Sequence, residues 1–221
     1  SVTGGTWISI PLEVEAELIS RAAAEGVPSP LIHYVLQPSD GVGSGFIVDF
    51  IEGETFVRRI LRDDQYRTAR EVMIAQMGDA LARIQRVDAS DVTDLPVLNA
   101  AAQVARNKDI YLGFDEHYPV FEAAIHWMED NIPYAQPLVL VHGDFRNGNF
   151  IVGPEGIRAV IDWEMAHLGD PAEDFGWACI NVWRFGTDLP VGGLRFVLQG
   201  AGCVGGNLAR LLHADGHRVC G

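Results

Sequence analysis

Apolar and polar residues follow two different periods along this chain, and the places where the period changes mark the elements. In PLEVEAELISRAAAEG, from Pro11, the apolar Leu12, Val14, Leu18, Ile19 and Ala22 fall near one face of a 3.6-residue helix. Proline in the first turn, acidic residues soon after it and Gly26 as a stop bound that helix. Val27-Pro28-Ser29-Pro30 then forces extended chain. Leu31 to Leu36 and Phe46 to Ile51 read as strands joined by the turn PSDGVGSG, which predicts a hairpin, and Ile51 to Glu54 connects it to a helical region. From Gln65 to Val87, Val72, Met73, Ile74, Met77, Leu81 and Ile84 recur at helical spacing and predict a long helix, mostly core. Asp88 to Leu98 reads as a loop, followed by helices over Ala100 to Lys108 and Phe121 to Asn131 around a loop with Gly113 and Pro119. Two short apolar runs, Leu138 to Val141 and Ile157 to Ile161, read as strands, and a helix over Ala172 to Val182 begins near Pro171. This order predicts an α+β fold with a small β-bearing lobe and a larger helical lobe, and a crevice between them is the natural ligand site.

The two apolar runs near the middle of the chain each deliver a carboxylate at or just past the strand end, Asp144 and Asp162. Grouping carboxylates beside buried strands costs stability, through repulsion and lost hydration, and is accepted for a metal or a reaction. His142-Gly143-Asp144, then Asn149, then Asp162 form the inventory for phosphoryl transfer: Asp144 as a base for an attacking hydroxyl, Asn149 and Asp162 as hard oxygen ligands for Mg²⁺. The spacing H-x-D, four residues, N also occurs in protein-kinase catalytic loops. Read alone, DFRNGN is also an ordinary turn composition. His117 and His126 read as surface or core histidines rather than ligands.

Composition narrows the partners. With 221 residues, 48% of them hydrophobic, the chain can bury a substantial core. A formal charge of -14, from 30 acidic and 16 basic residues, argues against nucleic acid or an anionic membrane surface, both of which demand a basic face. It suits divalent cations, a cationic substrate or simple solubility. Cys179, Cys203 and Cys220 lack metal or redox spacing, and no apolar run reaches membrane-spanning length, so a reduced, cytoplasmic setting is expected.

HGDFRNGNF followed by AVIDWEMAHLGDPAEDFGW resembles the aminoglycoside phosphotransferase and choline-kinase-like superfamily, particularly the branch that includes the kinase-like domain found beside acyl-CoA dehydrogenases. The resemblance runs from about Pro11 to Pro190. It implies a protein-kinase-like fold, ATP or GTP as co-substrate, Mg²⁺, and a small-molecule hydroxyl as acceptor. Residue by residue it implies Asp144 as catalytic base, Asn149 and Asp162 as metal ligands, His142 as the brace of the loop and Asp174 as a mainly structural acid. Trp163 and Glu164, standing where protein kinases carry Phe-Gly, favour a small-molecule kinase. The helix from Pro11 matches an αC-like helix in which Glu15 pairs with the N-lobe cation, although a solvated helix acid is the alternative. Asp49, Phe50 and Ile51 match the hinge whose backbone holds the nucleotide base.

The chain also departs from that pattern. Only ten residues precede Pro11, and the sole lysine, Lys108, lies in the helical lobe, so the phosphate-covering strands and their cation are expected to be truncated and turnover impaired. Loss of such a charge removes several kcal/mol of transition-state stabilisation. Towards the other end, LRFVLQ followed by Gly200-x-Gly202-x-x-Gly205 and LARLLHAD resembles the first βα unit of a Rossmann domain, with native C-lobe sequence as the alternative. The expected organisation is a partial N-lobe and hinge over 1–52, a helical C-lobe over 53–193 and a βα fragment over 194–221. A pseudokinase that binds without turnover, and a metal-dependent phosphohydrolase using His142, Asp144, Asp162, His167 and Asp170, are the competing functions. The acceptor and the oligomeric state are not legible.

Overall fold

The first helix, α1 (Leu12–Ala24), forms where the apolar stripe is densest. Pro11 at its N-cap presets the backbone, Glu13 and Glu15 sit in the first turn against the positive end of the helix dipole, and Arg21 lies in the last turn. Gly26, at φ +83°, ends it in a conformation that a side chain would strain. Its buried face carries Val14, Ala16, Leu18, Ile19 and Ala22, and Glu15 is buried with them. The computed structural model describes residues 9–180. The expected βα fragment over 194–221 and the C-lobe boundary at 193 therefore lie outside the described residues, as do Cys203 and Cys220.

The expected hairpin forms as β1 (Ile32–Val35) and β2 (Phe46–Val48), antiparallel, with Tyr34 opposite Ile47 and Val35 opposite Phe46. It is shorter than the hydrophobic runs suggested: Asp49 still donates its N–H to the Leu31 carbonyl, and the chain leaves the pairing at Phe50 as it crosses towards the larger lobe. Two ties anchor that crossing: Glu54 exchanges both backbone hydrogen bonds with Val152, and the Arg158 guanidinium donates to the Glu52 carbonyl at 2.6 Å. A short helix, α2 (Val57–Arg62), precedes the long α3 (Arg67–Ile84). Met73, Ala80, Leu81 and Ile84 of α3 are buried, whereas Ile74 points outward and is 41% exposed.

The strands of the larger lobe pair differently from a simple reading of the sequence. Leu138 to Val141 and Ile157 to Ile161 do form β4 (Val139–Val141) and β6 (Gly156–Val160), but they are not partners. A further strand, β5 (Phe150–Gly153), lies inside what reads as loop and makes a tight hairpin with β6. Another, β7 (His167–Gly169), pairs antiparallel with β4 and parallel with the two-residue β3 (Val97–Leu98). The helices α4 (Ala100–Leu112) and α5 (Pro119–Asp130) stand to one side, and α6 (Glu173–Cys179) follows β7. Asn99 caps α4 by accepting from the Ala102 N–H at 2.9 Å. The core runs from α1 through α3 to β4, β5 and β6, with Phe145, Phe150, Trp163 and Leu140 at its centre. It thus sits directly beneath the loops that follow β4 and β6.

Candidate functional site

Three backbone features converge where β4 and β6 end. After Val141 the chain turns through Gly143 at φ +84°, and a Cβ there would collide with the Met165 carbonyl oxygen. After Val160 it passes through Asp162 at φ +71°, a left-handed conformation that costs a non-glycine residue roughly 1 to 3 kcal/mol. The two turns are joined by the Ile161 N–H, which donates to the Asn149 carbonyl at 3.0 Å. Strain of this kind persists only where the surroundings over-determine it, and it collects at sites of function.

Asp144, Asn149 and Arg146 form one hydrogen-bonded unit. The Asn149 amide nitrogen donates to the Asp144 carbonyl at 2.9 Å and to its Oδ2 at 2.7 Å. The Arg146 Nε donates to Oδ1 at 2.8 Å, and the guanidinium also reaches the Asn147 carbonyl at 3.2 Å. The Asp144 carboxylate is thus held at both oxygens, and its side chain is 14% exposed. The amide nitrogen of Asn149 is thus committed to Asp144. Arg146 is the member that sequence reasoning passed over; its signal was its place two residues after Asp144, on the same turn.

His142 lies beneath this unit, fully buried between Trp163 and Phe145, with its ring centroid 4.7 Å from that of Trp163. Its Nε2 donates to the Ile161 carbonyl at 3.1 Å, and its Nδ1 accepts from the Asp144 N–H at 3.3 Å. One nitrogen donating and one accepting is the pattern of a neutral imidazole. Burial pushes the ring down to about 4, consistent with that state. His142 therefore ties the turn before the Asp144 carboxylate to the turn before Asp162, and it is a brace rather than a proton carrier.

Asp174, in the first turn of α6, reaches back to the same loop. Its Oδ2 accepts from the His142 N–H at 2.8 Å and its Oδ1 from the Gly143 N–H at 3.0 Å, with all of these atoms buried. Burial pushes the carboxyl up to about 7, against the two N–H groups that favour the anion.

Glu15 of α1 is 8% exposed and faces the turn that carries Asp162. The Trp163 backbone N–H donates to its carboxylate, while burial, and then the charges of Asp162 and Glu164, push its pKa up. It is not a solvated helix acid. Asp49, Phe50 and Ile51 lie at the crossing between the lobes. Asp49 gives its N–H to the Leu31 carbonyl at 3.1 Å and its Oδ1 lies 2.6 Å from the His33 Nε2, while Phe50 is 93% exposed. Lys108 is far in sequence and on α4, where it pairs with Glu129 at 2.6 Å.

The family model of the phosphotransferase enzyme family, APH, matches residues 9–214. The chain belongs to the phosphotransferase enzyme family. Solved structures share its fold: an aminoglycoside phosphotransferase-type protein from Ralstonia eutropha superposes with a TM-score of 0.68 at 22% identity, covering 95% of this chain and 67% of that one. The GDP and kanamycin complex of APH(2")-IIia gives 0.56 at 15% identity, covering 74% and 61%. These likenesses establish the protein-kinase-like α+β fold expected from the catalytic motif. In sequence, acyl-CoA dehydrogenase family member 10 of Mus musculus is 28% identical over 177 residues, which is 76% of this chain and 16% of the mouse protein. The chain thus spans about a sixth of that relative's length. The family match also runs across Gly200, Gly202 and Gly205, the glycines that resemble a dinucleotide-binding turn.

No helix among the described residues is long and apolar enough to cross a membrane. The residues expected to hold a metal, Asn149 and Asp162, offer hard oxygens of the kind that suits Mg²⁺ rather than a thiophilic metal.

Proposed function

We propose that this phosphotransferase moves the γ-phosphate of a purine nucleoside triphosphate, ATP or GTP, to a hydroxyl of a small molecule. The observation that carries the reading is the Asp144–Asn149 unit, in which a carboxylate is fixed by the Asn149 amide and the Arg146 guanidinium, one hydrogen bond away from the strained turn of Asp162. Asp144 accepts the proton of the attacking hydroxyl, which approaches the carboxylate as Arg146 or Asn149 yields one of its contacts. Asn149 and Asp162 would hold Mg²⁺, which supplies charge neutralisation on the phosphates when bound. The crossing at Asp49, Phe50 and Ile51 presents backbone groups and the exposed Phe50 ring to the nucleotide base, and Glu15 orders the Asp162 turn through the Trp163 N–H. The GDP named for one structure of this fold supports a nucleotide as co-substrate.

The test is Asp144→Asn. Removing the base is expected to lower phosphoryl transfer by about 10²- to 10⁴-fold while Mg-nucleotide binding, followed by calorimetry, stays within about threefold; unchanged turnover removes Asp144 from the role. A nucleotide-binding module without turnover is the second reading, favoured by the engagement of the only lysine with Glu129. Mg-ATP binding with no transfer to any acceptor or to water would establish it. The phosphohydrolase reading is weakened by His167, whose two ring nitrogens face Met165 and Glu173 rather than an open site.

A further inference from the structure

Two histidines are buried among the described residues, and their hydrogen bonds assign them different protonation states. His142 has one donor and one acceptor as neighbours, as described above. His167, 1% exposed on β7, has oxygens at both ring nitrogens: Nδ1 lies 2.9 Å from the Met165 carbonyl and Nε2 lies 3.0 Å from the Glu173 Oε2. A carbonyl oxygen can only accept, so Nδ1 carries a hydrogen. A second proton must then lie between Nε2 and the Glu173 carboxylate, or two lone pairs would face each other at 3.0 Å. Gln103 of α4 completes the arrangement. Its Nε2 donates to the Glu173 Oε1 at 3.0 Å and stands 3.4 Å from His167 Nε2, so the nearer Glu173 oxygen, not Gln103, decides the state of the ring.

The charges acting on the ring are those of Glu173 and, farther off, Asp174, both from α6. Gln103 from α4 and Val141, its partner across β4, contribute none. Burial alone would lower the ring's affinity for its proton, but the Glu173 carboxylate and the Met165 carbonyl outweigh it and the net direction is upward.

Position gives this pair a task. Glu173 is the residue before Asp174, and Asp174 is the group that receives the His142 and Gly143 N–H bonds ahead of the Asp144 carboxylate. The Glu173 side chain is pinned to β7 through His167 and to α4 through Gln103, so the first turn of α6 cannot shift without breaking both contacts.

We propose that the pair formed by the buried His167 and the partly exposed Glu173 is a pH-sensitive strut that sets the start of α6, and through Asp174 positions the catalytic loop for phosphoryl transfer. His167 and Glu173 are positioning residues, not catalytic ones, and the link to turnover rests on the phosphotransferase reading. Because the pairing raises the ring above its ordinary value of 6.5, the strut is complete below that pH and is lost as pH rises through the higher folded-state value. Loss of the proton leaves Nε2 facing a carboxylate, and the turn that carries Asp174 loosens.

The experiment is a nitrogen-detected NMR titration of the full chain from pH 6 to 10, following both rings together with the His142 and Gly143 amides. The strut requires His167 to be an imidazolium at pH 7 while His142 is a neutral Nε2–H ring, and both amides to titrate in step with His167. In Glu173→Gln the His167 titration moves to lower pH, and exchange of the Gly143 amide speeds up roughly tenfold as the turn opens more often. Nucleotide turnover measured over the same range should fall on the alkaline side with the same midpoint, shift with that midpoint in Glu173→Gln, and be low without that limb in His167→Gln. A neutral His167 at pH 7, or amides indifferent to its titration, overturns the proposal without any variant. Coupled amides in a chain that transfers phosphate to nothing would uphold the strut and sink the phosphotransferase reading instead.

Discussion

Removing the Asp174 carboxylate tests the energetics of the loop most directly, because two large effects of opposite sign meet there. The carboxylate accepts the His142 and Gly143 N–H groups at 2.8 and 3.0 Å in a site that water does not reach. Asp174→Ala leaves both donors buried without partners, at about 1–3 kcal/mol each, and adds a small cavity. Against this, burial has moved the carboxyl from its ordinary 3.8 to about 7, which corresponds to about 4 kcal/mol against the anion. If the buried charge dominated, its removal would stabilise the protein. The donors should win, since they stay behind unpartnered in the variant, whereas the wild-type carboxyl accepts both of them. The expected cost is about 2–5 kcal/mol for Asp174→Ala. Asp174→Asn keeps one acceptor, sheds the charge and points a donor at the other N–H, so it should cost about 1–2 kcal/mol. Urea unfolding at pH 8 reads both, as a lower midpoint at unchanged slope. A cost below about 1 kcal/mol for the alanine variant, or an asparagine variant more stable than wild type, would refute the reasoning and make Asp174 a tolerated charge rather than a clamp.

Other consequences follow from the same loop. His142, held near 4 by burial against an ordinary 6.5, stays neutral while the unfolded chain takes up its proton, so about 3 kcal/mol of stability should drain away as pH falls from 6.5 to 4. The difference in urea midpoint between wild type and His142→Asn should shrink across that window; parallel curves would exclude the assignment. Arg146→Ala frees one oxygen of Asp144 and should slow transfer by roughly 10- to 100-fold with thermal stability little changed, and Arg146→Lys should recover only part of the rate, because an ammonium cannot repeat the fork to Oδ1 and the Asn147 carbonyl. Gly143→Ala should destabilise by about 2 kcal/mol or more, from the left-handed φ and the collision with the Met165 carbonyl; a melting temperature equal to wild type would contradict the turn geometry.

Local pattern carried most elements and little of the strand pairing. Helix α1 was readable from its stripe, its Pro11 and its Gly26, and the hairpin of β1 and β2 from its polar turn, since each depends on residues close in sequence. Strand β5 was also within reach: Phe150-Ile151-Val152 followed by Gly-Pro-Glu-Gly is a hairpin signal, obscured by the catalytic residues just before it. Strand β7 was not, because a three-residue strand exists only through its partners, β3 some seventy residues before it and β4 nearly thirty. That Asp144, Asn149 and Asp162 come together at strand ends could be read from the motif, because its spacing fixes residue types at the ends of short apolar runs. The burial of Glu15 could not, since an acid on a helix reads as solvated until the Trp163 N–H is found facing it.

The arrangement around Asp144 explains why so much polar machinery lies under a site that exposes so little of it. The carboxylate and the Asp162 turn leave different strands that do not pair with each other, so no sheet ladder fixes their separation. That separation is set instead by hydrogen bonds that cross between the two turns: His142 to Ile161, Ile161 to Asn149, and Asn149 to Asp144. A neutral ring suits the first of these, because an imidazolium would turn its Nδ1 from an acceptor of the Asp144 N–H into a competing donor. The outer supports, Asp174 and Glu15, are both buried acids that accept backbone N–H groups, two from the first turn and one from the second. The loop is therefore held from below by a group that must stay uncharged and from the sides by groups that act as acceptors, so the relative placing of Asp144, Asn149 and Asp162 is set by hydrogen bonds rather than by the sheet.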